Sequence, residues 1–120
     1  MSIADRPVLY SGQLVSICAA TYRPLVVALM EDALLMMCVH SEGHMTLAGE
    51  PLRLKDIVRM QFECDHPCDF ILSTQNDGAT ATRNYRLRAG CYDDKVAWRD
   101  SLEQQIKACV SLRKVWSVSV

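Results

Sequence analysis

Cysteine and histidine come close together in one short segment, Cys64-Asp65-His66-Pro67-Cys68. Thiolate and imidazole groups at such short spacing can bind zinc. The sequence has no second pair of closely spaced cysteines to complete a structural site, and His40 and His44 are distant along the chain. We therefore interpret the segment as a turn between two strands with incidental thiols, and we predict no metal site and no cofactor.

Catalytic motifs are missing from the sequence. It contains no Gly-x-Ser-x-Gly elbow, no phosphate-binding glycine loop and no His-Glu-x-x-His. Single serine, histidine and aspartate residues are present, but no spacing organises them. We predict that the chain is not an enzyme.

The composition favours one folded domain that does not bind nucleic acid. Of its 120 residues, 50% are hydrophobic and 22% are charged, so a core can form. A net charge of -1 lacks the basic excess of nucleic-acid-binding proteins. We predict a single domain over residues 1–120, with a core over about 8–113 and flexible termini.

Six cysteines in a short chain raise the question of disulfides. The N-terminal residues Met1–Arg6 lack a signal-peptide core, and the longest apolar run, Leu25–Val39, is interrupted by Glu31 and Asp32. We therefore expect reduced thiols and a cytoplasmic protein, with peripheral association at a membrane as the alternative.

Short apolar segments separated by turn residues predict antiparallel strands. In Asn84–Ala89, Tyr85 and Leu87 alternate with Arg86 and Arg88. Ser41–Glu50, with Gly43 and Gly49, is predicted as a loop, and the Asn-Asp-Gly sequence within Gln75–Thr82 as a turn. Seven strands are predicted: Val8–Cys18, Leu25–Met30, Ala33–His40, Pro51–Lys55, Ile57–Glu63, Phe70–Thr74 and Asn84–Ala89.

The pattern becomes helical from Tyr92 to Arg113. One stripe of the predicted helix is apolar, comprising Trp98, Leu102, Ile106, Cys109 and Leu112. Asp93 and Asp94 fall in the first turn, where the helix dipole favours negative charge. We predict a mostly β fold, an antiparallel barrel or sandwich whose open end is covered by this helix.

Three segments resemble a pleckstrin-homology (PH) domain. Gly12-Gln13-Leu14 looks like the Gly-x-Leu of the first PH strand, and Val27–Leu34 looks like the second strand, acidic turn and third strand. Trp98, in the helix that follows Tyr85–Ala89, resembles the characteristic helical tryptophan of the family. The resemblance implies a seven-stranded, strongly bent antiparallel barrel capped by one C-terminal α-helix.

A narrower resemblance involves Leu25–Cys38, whose long apolar strands surround Glu31 and Asp32. This segment looks like the PH domain that follows the Dbl-homology domain in Rho guanine nucleotide exchange factors. The resemblance implies a domain that orients or restrains an exchange domain. Since 120 residues cannot hold an exchange domain as well, this resemblance implies a piece of a larger signalling protein.

PH domains that hold inositol phosphates use basic residues of the first two strands, and the resemblance assigns that role to few residues here. Ser16 and Leu25 occupy positions where the family has basic residues, and Cys18–Tyr22, predicted as the intervening loop, is nearly uncharged. If a phosphoinositide site exists, we expect Arg23, His40 and Arg53 to form it.

A second basic surface is predicted on the sheet. Arg86 and Arg88 alternate outward on the last strand, and Arg59 lies on the fifth. One interpretation is the ordinary polar face of a half-buried sheet. The other is a docking face for an acidic protein partner, formed by Arg59, Arg86 and Arg88.

The function that follows is an adaptor that binds a protein partner or a neighbouring domain, with at most weak phosphoinositide binding. The alternatives are a membrane-targeting phosphoinositide-binding domain and a regulator of Rho nucleotide exchange.

The tail Val115–Val120 contains apolar residues that alternate with serines. This pattern permits three structures: a segment folded back on the barrel, an exposed strand, or a connection to further chain.

Overall fold

The computed structural model describes residues 7–75 and 81–118, with side chains described up to Cys109. A 3-10 helix, Leu54–Asp56, connects the fifth and sixth strands. The strands are β1 (Tyr10–Cys18), β2 (Thr21–Leu29), β3 (Ala33–Val39), β4 (Met45–Leu47), β5 (Leu52–Arg53), β6 (Ile57–Gln61), β7 (Asp69–Thr74) and β8 (Arg83–Ala89), and they are followed by the helix α1 (Tyr92–Val118).

All strand pairs are antiparallel, and the sheet runs in the order β4-β3-β2-β1-β8-β7-β6, with β5 also paired to β3. The strands β1 to β4 and β6 to β8 are thus two groups of sequential neighbours, and the β1–β8 pairing joins them. In the described ranges no backbone pairing connects β4 to β6. The barrel is therefore open along these two edges.

Side chains alternate between the two faces of each strand, and those on the inner face form the core. Leu14 in β1 is paired with Leu25 in β2, and both side chains are buried on the inner face. Phe70 and Leu87 are paired across β7 and β8 and are buried on the same side. Burial of each such side chain contributes about 1.5–3 kcal/mol to folding, so these rows determine which face of each strand points inward.

Helix α1 contributes Trp98 to this core. The helix begins after Cys91, whose carbonyl accepts a hydrogen bond from the Lys95 amide at 3.2 Å. Trp98 is 1% exposed, and its ring meets the Tyr10 ring edge-on with centroids 4.7 Å apart. A Cβ atom on Gly12 would lie 3.4 Å from Nε1 of Trp98. The predicted stripe is therefore confirmed through Cys109, while the Leu112 side chain lies outside the described residues.

Polar contacts fix the helix at two points. Near its start, Nζ of the buried Lys95 donates to the Pro67 carbonyl at 2.9 Å. Further along, Nε2 of Gln105 donates to the Glu31 carbonyl at 2.7 Å, and the Cys109 thiol contacts the same oxygen at 3.5 Å. The helix is thus attached to the β6–β7 turn and to the β2–β3 turn.

The predicted mostly β fold with one C-terminal helix is confirmed, but the structure has eight strands where seven were predicted, and some elements differ locally. The predicted loop Ser41–Glu50 contains β4, because three exposed residues between glycines give little periodic signal. The helix continues to Val118, so Val115–Val118 are helical and not a strand. Helix propagation costs little once a long helix exists, which explains the extension. The predicted Asn-Asp-Gly turn lies outside the described residues.

Candidate functional site

Arg23 and His40 lie at the same end of the β2–β3 pair. The register pairs Leu25 with Cys38, and Arg23 and His40 each lie two positions beyond that pair. Both are exposed. Nε2 of His40 hydrogen-bonds to Oγ1 of Thr46 at 2.7 Å, and the His40 ring stacks on His44 with centroids 4.7 Å apart. Register therefore brings two of the three predicted phosphoinositide ligands to one end of the sheet.

Arg53 lies elsewhere. It is paired with Ala33 at the start of β3, whereas His40 follows the end of that strand. β3 has 7 residues, so about 23 Å of extended chain separates its ends. The structure does not bring Arg53 together with Arg23 and His40, because β5 returns to the opposite end of the sheet.

The first hairpin is tighter than predicted. Cys18 is paired directly with Thr21, which leaves Ala19 and Ala20 as a two-residue turn in place of the predicted loop Cys18–Tyr22. Ala19 has φ +54°, a left-handed conformation that is unfavourable for a residue with a Cβ. Small alanines in a short turn carry no charged or amide side chain that could hold a phosphate group.

The predicted docking arginines share one face, but two of them are bound to a carboxylate. Nε of Arg86 donates to Oδ2 of Asp69 at 2.8 Å. Arg88 donates twice, from Nε to Oδ1 at 2.6 Å and from Nη2 to Oδ2 at 3.2 Å. Arg59 is exposed and is paired with Ser73 on β6 and β7, one row along the same face. Arg86 and Arg88 are therefore a structural ion-pair cluster as well as a basic surface.

Asp69 was not singled out from the sequence, although it organises this cluster. Its side chain is 0% exposed. Burial raises the pKa of Asp69, but hydrogen bonds from Arg88 and Arg86 and the charges of both guanidinium groups outweigh that effect and hold the pKa below 3.8. The available signal was an acidic residue opening the apolar segment Asp69-Phe70-Ile71-Leu72, because buried carboxylates require partners.

His66 lies beside the cluster in the Cys64–Cys68 turn. Its Nδ1 accepts a hydrogen bond from the Cys68 amide at 3.1 Å and lies 3.6 Å from Oδ1 of Asp69. Over residues 7–75 and the described side chains beyond Ala81, no three His, Cys, Asp or Glu groups lie close enough to hold a metal ion.

The outer face of β1 to β4 is the largest feature that the sequence analysis missed. Arg23 is the one charged residue in these four strands, and it alternates with Pro24 and Tyr22, so it points to the other side. The outward residues are all uncharged: Ser11, Gln13, Val15, Ile17, Tyr22, Pro24, Val26, Ala28, Ala33, Leu35, Met37, Val39, Met45 and Leu47. We call this surface the outer face.

Part of the outer face is open to solvent. Ala28 and Leu35 are buried at one end of it, where they pack with Met30. Towards the other end, Tyr22, Val39, Met45 and Leu47 are exposed large apolar side chains. The available sequence signal was the near-absence of charge across four consecutive strands, since an antiparallel sheet with one solvated face usually alternates apolar and polar residues.

Comparison with known proteins shows similarity at the level of the fold. No family model and no curated protein matches the chain. A structure of human RhoA in complex with the DH/PH fragment of PDZ-RhoGEF superposes with a TM-score of 0.73 at 22% identity, covering 86% of this chain and 29% of that one. The N-terminally truncated linker-DH/PH domains of p115-RhoGEF give a TM-score of 0.76 at 16% identity, covering 90% of this chain and 31% of that one.

The PH domain of Slm1, solved in complex with inositol-4-phosphate, gives a TM-score of 0.64 at 17% identity, covering 82% of this chain and 95% of that one. The chain thus spans less than a third of the matched exchange-factor chains and nearly all of the isolated PH domain. In the described part of the chain, no helix combines the length and apolar character needed to cross a bilayer. The strand order, the capping helix with Trp98 and these superpositions together show that the chain has the pleckstrin-homology fold.

Proposed function

We propose that this chain is a single non-catalytic docking domain of a cytoplasmic signalling protein, and that it binds a protein partner or a neighbouring domain through the outer face. The observation that carries the proposal is the exposed apolar surface of β1 to β4, which has no outward charge. Contiguous apolar surface on a soluble domain is typical of protein contact sites.

The charges of the chain support a protein partner over a lipid headgroup. Phosphoinositides carry dense negative charge, which requires several cations with converging donors. The first hairpin supplies Arg23 alone, and the hydrogen bonds of Arg86 and Arg88 to Asp69 already use part of their donor capacity. An apolar surface, in contrast, gains free energy by excluding water against another apolar surface.

A display selection with matched variants tests this function. A random peptide library is selected against the immobilised wild-type domain, and enriched peptides are titrated against Val39→Asp and Val58→Asp by fluorescence anisotropy. Val39 on the outer face is 52% exposed and Val58 on β6 is 58% exposed, so both substitutions should leave the fold intact. We expect Val39→Asp to weaken binding at least about tenfold and Val58→Asp to leave it unchanged.

Equal binding to the two variants, or a selection that enriches no peptide, counts against the outer face as a docking site. Urea unfolding of all three proteins provides the folding control, since surface substitutions should change stability by less than about 0.5 kcal/mol.

A neighbouring domain is the form of partner favoured by the similarity to DH/PH fragments. In that case the domain would alter nucleotide exchange by the catalytic domain beside it. The test is the nucleotide exchange rate of a Dbl-homology domain measured alone, fused to the wild-type chain and fused to its Val39→Asp variant. A rate that is the same with and without the domain would argue against this form of the proposal.

Phosphoinositide binding is the second candidate, because Arg23 and His40 lie at the same end of the sheet. Binding to liposomes with and without a few percent of a polyphosphorylated phosphoinositide, at two salt concentrations, distinguishes it. Saturable headgroup-dependent binding that disappears in Arg23→Ala would replace the docking proposal with a membrane-targeting function. Binding that weakens equally with salt in both proteins is non-specific attraction.

A further inference from the structure

A groove crosses the outer face beside Arg88. Its volume is about 290 Å³, and its outward lining consists of Gln13, Val15, Pro24, Val26, Val39 and Arg88. This volume lies near the lower limit for small-molecule sites, which occupy about 300–1,000 Å³. The groove is therefore suited to one or two apolar side chains of a protein segment, and Arg88 is the one charged group among its lining residues.

Arg88 is held in place before any partner arrives. Asp69 binds its Nε and Nη2 atoms, and the Tyr22 ring lies with its centroid 5.7 Å from the guanidinium carbon. The side chain is still 30% exposed. A guanidinium group fixed between a carboxylate and an aromatic ring loses little further conformational entropy when it binds, which favours specific pairing.

The cluster carries unbalanced positive charge on its groove side. Two guanidinium groups share the single carboxylate of Asp69. Among the described residues, Asp69 is the carboxylate that lies within ion-pair distance of Arg88. A carboxylate supplied by a partner at the wall of the groove would therefore meet a cluster with net positive charge.

Resting on the proposed docking function, we infer that the segment recognised at this groove carries an apolar anchor side chain and, next to it, an acidic side chain that pairs with Arg88. The apolar residue enters between Val26 and Val39 and supplies most of the affinity. The acidic residue fixes register and rejects segments that lack it. Asp69 is then a positioning residue for the Arg88 guanidinium.

The peptides enriched on the wild-type domain test this inference. We expect an aspartate or glutamate at a fixed offset from a large aliphatic or aromatic residue. A double-mutant cycle then compares the enriched peptide and its Asp→Asn or Glu→Gln form on the wild type and on Arg88→Gln. If the two groups pair, removing either carboxylate or guanidinium weakens binding about fivefold or more, and removing both costs little beyond either alone.

Two control variants separate pairing from structural damage. Arg99→Gln removes a cation of similar exposure that pairs with Asp100 on α1, and it should leave peptide binding unchanged. Arg88→Lys keeps the positive charge but loses the two-pronged contact, so it should retain part of the coupling energy with the peptide carboxylate. This holds even if Arg88→Gln lowers the midpoint of unfolding. Binding is measured at a temperature where every variant is native by near-ultraviolet circular dichroism.

Each contrary outcome has a distinct meaning. One outcome is that the enriched peptides depend on Val39 but contain no enriched acidic residue. Another is that the effects of Arg88→Gln and of the peptide substitution on binding are additive. Either result overturns the acidic-partner inference and leaves the docking function intact. Peptides that bind Val39→Asp as well as the wild type overturn both. A wild-type dimer that Val39→Asp dissociates in sedimentation velocity would identify the occupant as a second copy of the chain and also overturn the inference.

Discussion

Asp69 and Arg88 are directly opposed on β7 and β8, and their closest contact joins Oδ1 and Nε at 2.6 Å. Arg86, opposite Ile71, reaches the other carboxylate oxygen from the neighbouring row. One buried carboxylate therefore cross-links two rows of the β7–β8 ladder. The Asp69 carboxylate also offsets the repulsion between the Arg86 and Arg88 guanidinium groups. It therefore stabilises the fold and fixes the position of both arginines on the surface.

The Asp69→Asn substitution should be costly near neutral pH. It removes the charge that two guanidinium groups share, and we expect a loss of about 2 kcal/mol in the free energy of unfolding, measured with urea at pH 7. Asp100→Asn is the matched control, because that exposed carboxylate pairs with Arg99 at 3.3 Å and contributes at most about 1 kcal/mol.

The cost of Asp69→Asn should also depend on pH. The pKa of Asp69 is lower in the folded protein than in the unfolded chain, so the carboxylate contributes its full stability above about pH 4–5 and loses it as the pH falls through the folded value. The free energies of unfolding of wild type and Asp69→Asn should converge as the pH is lowered from about 5 into the acid range in which the folded protein protonates Asp69. A stability difference that stays constant over this range would contradict the assignment.

Gly12 should accept a methyl group and little more. A Cβ there meets the Trp98 ring at 3.4 to 3.7 Å, which is ordinary contact distance, whereas a branched side chain would enter the indole. We expect Gly12→Ala to be near neutral and Gly12→Val to lower the free energy of unfolding by about 1–3 kcal/mol. Thermal unfolding of both variants checks this. Equal stability of the two variants would show that contact with Trp98 does not limit the size of the side chain at position 12.

The Ala19–Ala20 turn should be stabilised by glycine at one position only. Ala19 has φ +54°, so Ala19→Gly should relieve roughly 1 kcal/mol of backbone strain, an effect partly offset by the greater freedom of glycine in the unfolded chain. Ala20, which lacks a positive φ, should lose up to about 1 kcal/mol on the same change. Denaturant midpoints of the two variants should therefore move in opposite directions.

Gln105 should hold the second half of α1 against the sheet. Its amide donates to the Glu31 carbonyl at 2.7 Å, and we expect Gln105→Ala to cost about 1 kcal/mol. The exposed neighbour Gln104 provides the control, because Gln104→Ala should have almost no effect. Amide hydrogen exchange should become faster after Trp98 in Gln105→Ala while β1 and β2 keep their protection. Faster exchange throughout the protein would instead indicate global destabilisation.

The architecture could be predicted because its signals are local. Alternation in β8 and the helical stripe around Trp98 both arise from burial of one side of an element, and the chain sequence displays them directly. The site could not be predicted in the same way. The Asp69–Arg88 pair and the separation of Arg53 from His40 depend on which strands become neighbours and in what register. The outer face was missed for a related reason, because the register also determines which apolar strand residues point outward together.

Burial of Trp98 against Tyr10 and Gly12 also makes the domain its own optical reporter. The indole belongs to the helix, yet its surroundings belong to β1, so its emission wavelength depends on whether the helix and the sheet are in contact. The sequence has a second tryptophan, Trp116, and a Trp116→Phe protein would leave Trp98 as the single emitter. Detachment of α1 from the barrel could then be followed in real time without any attached dye.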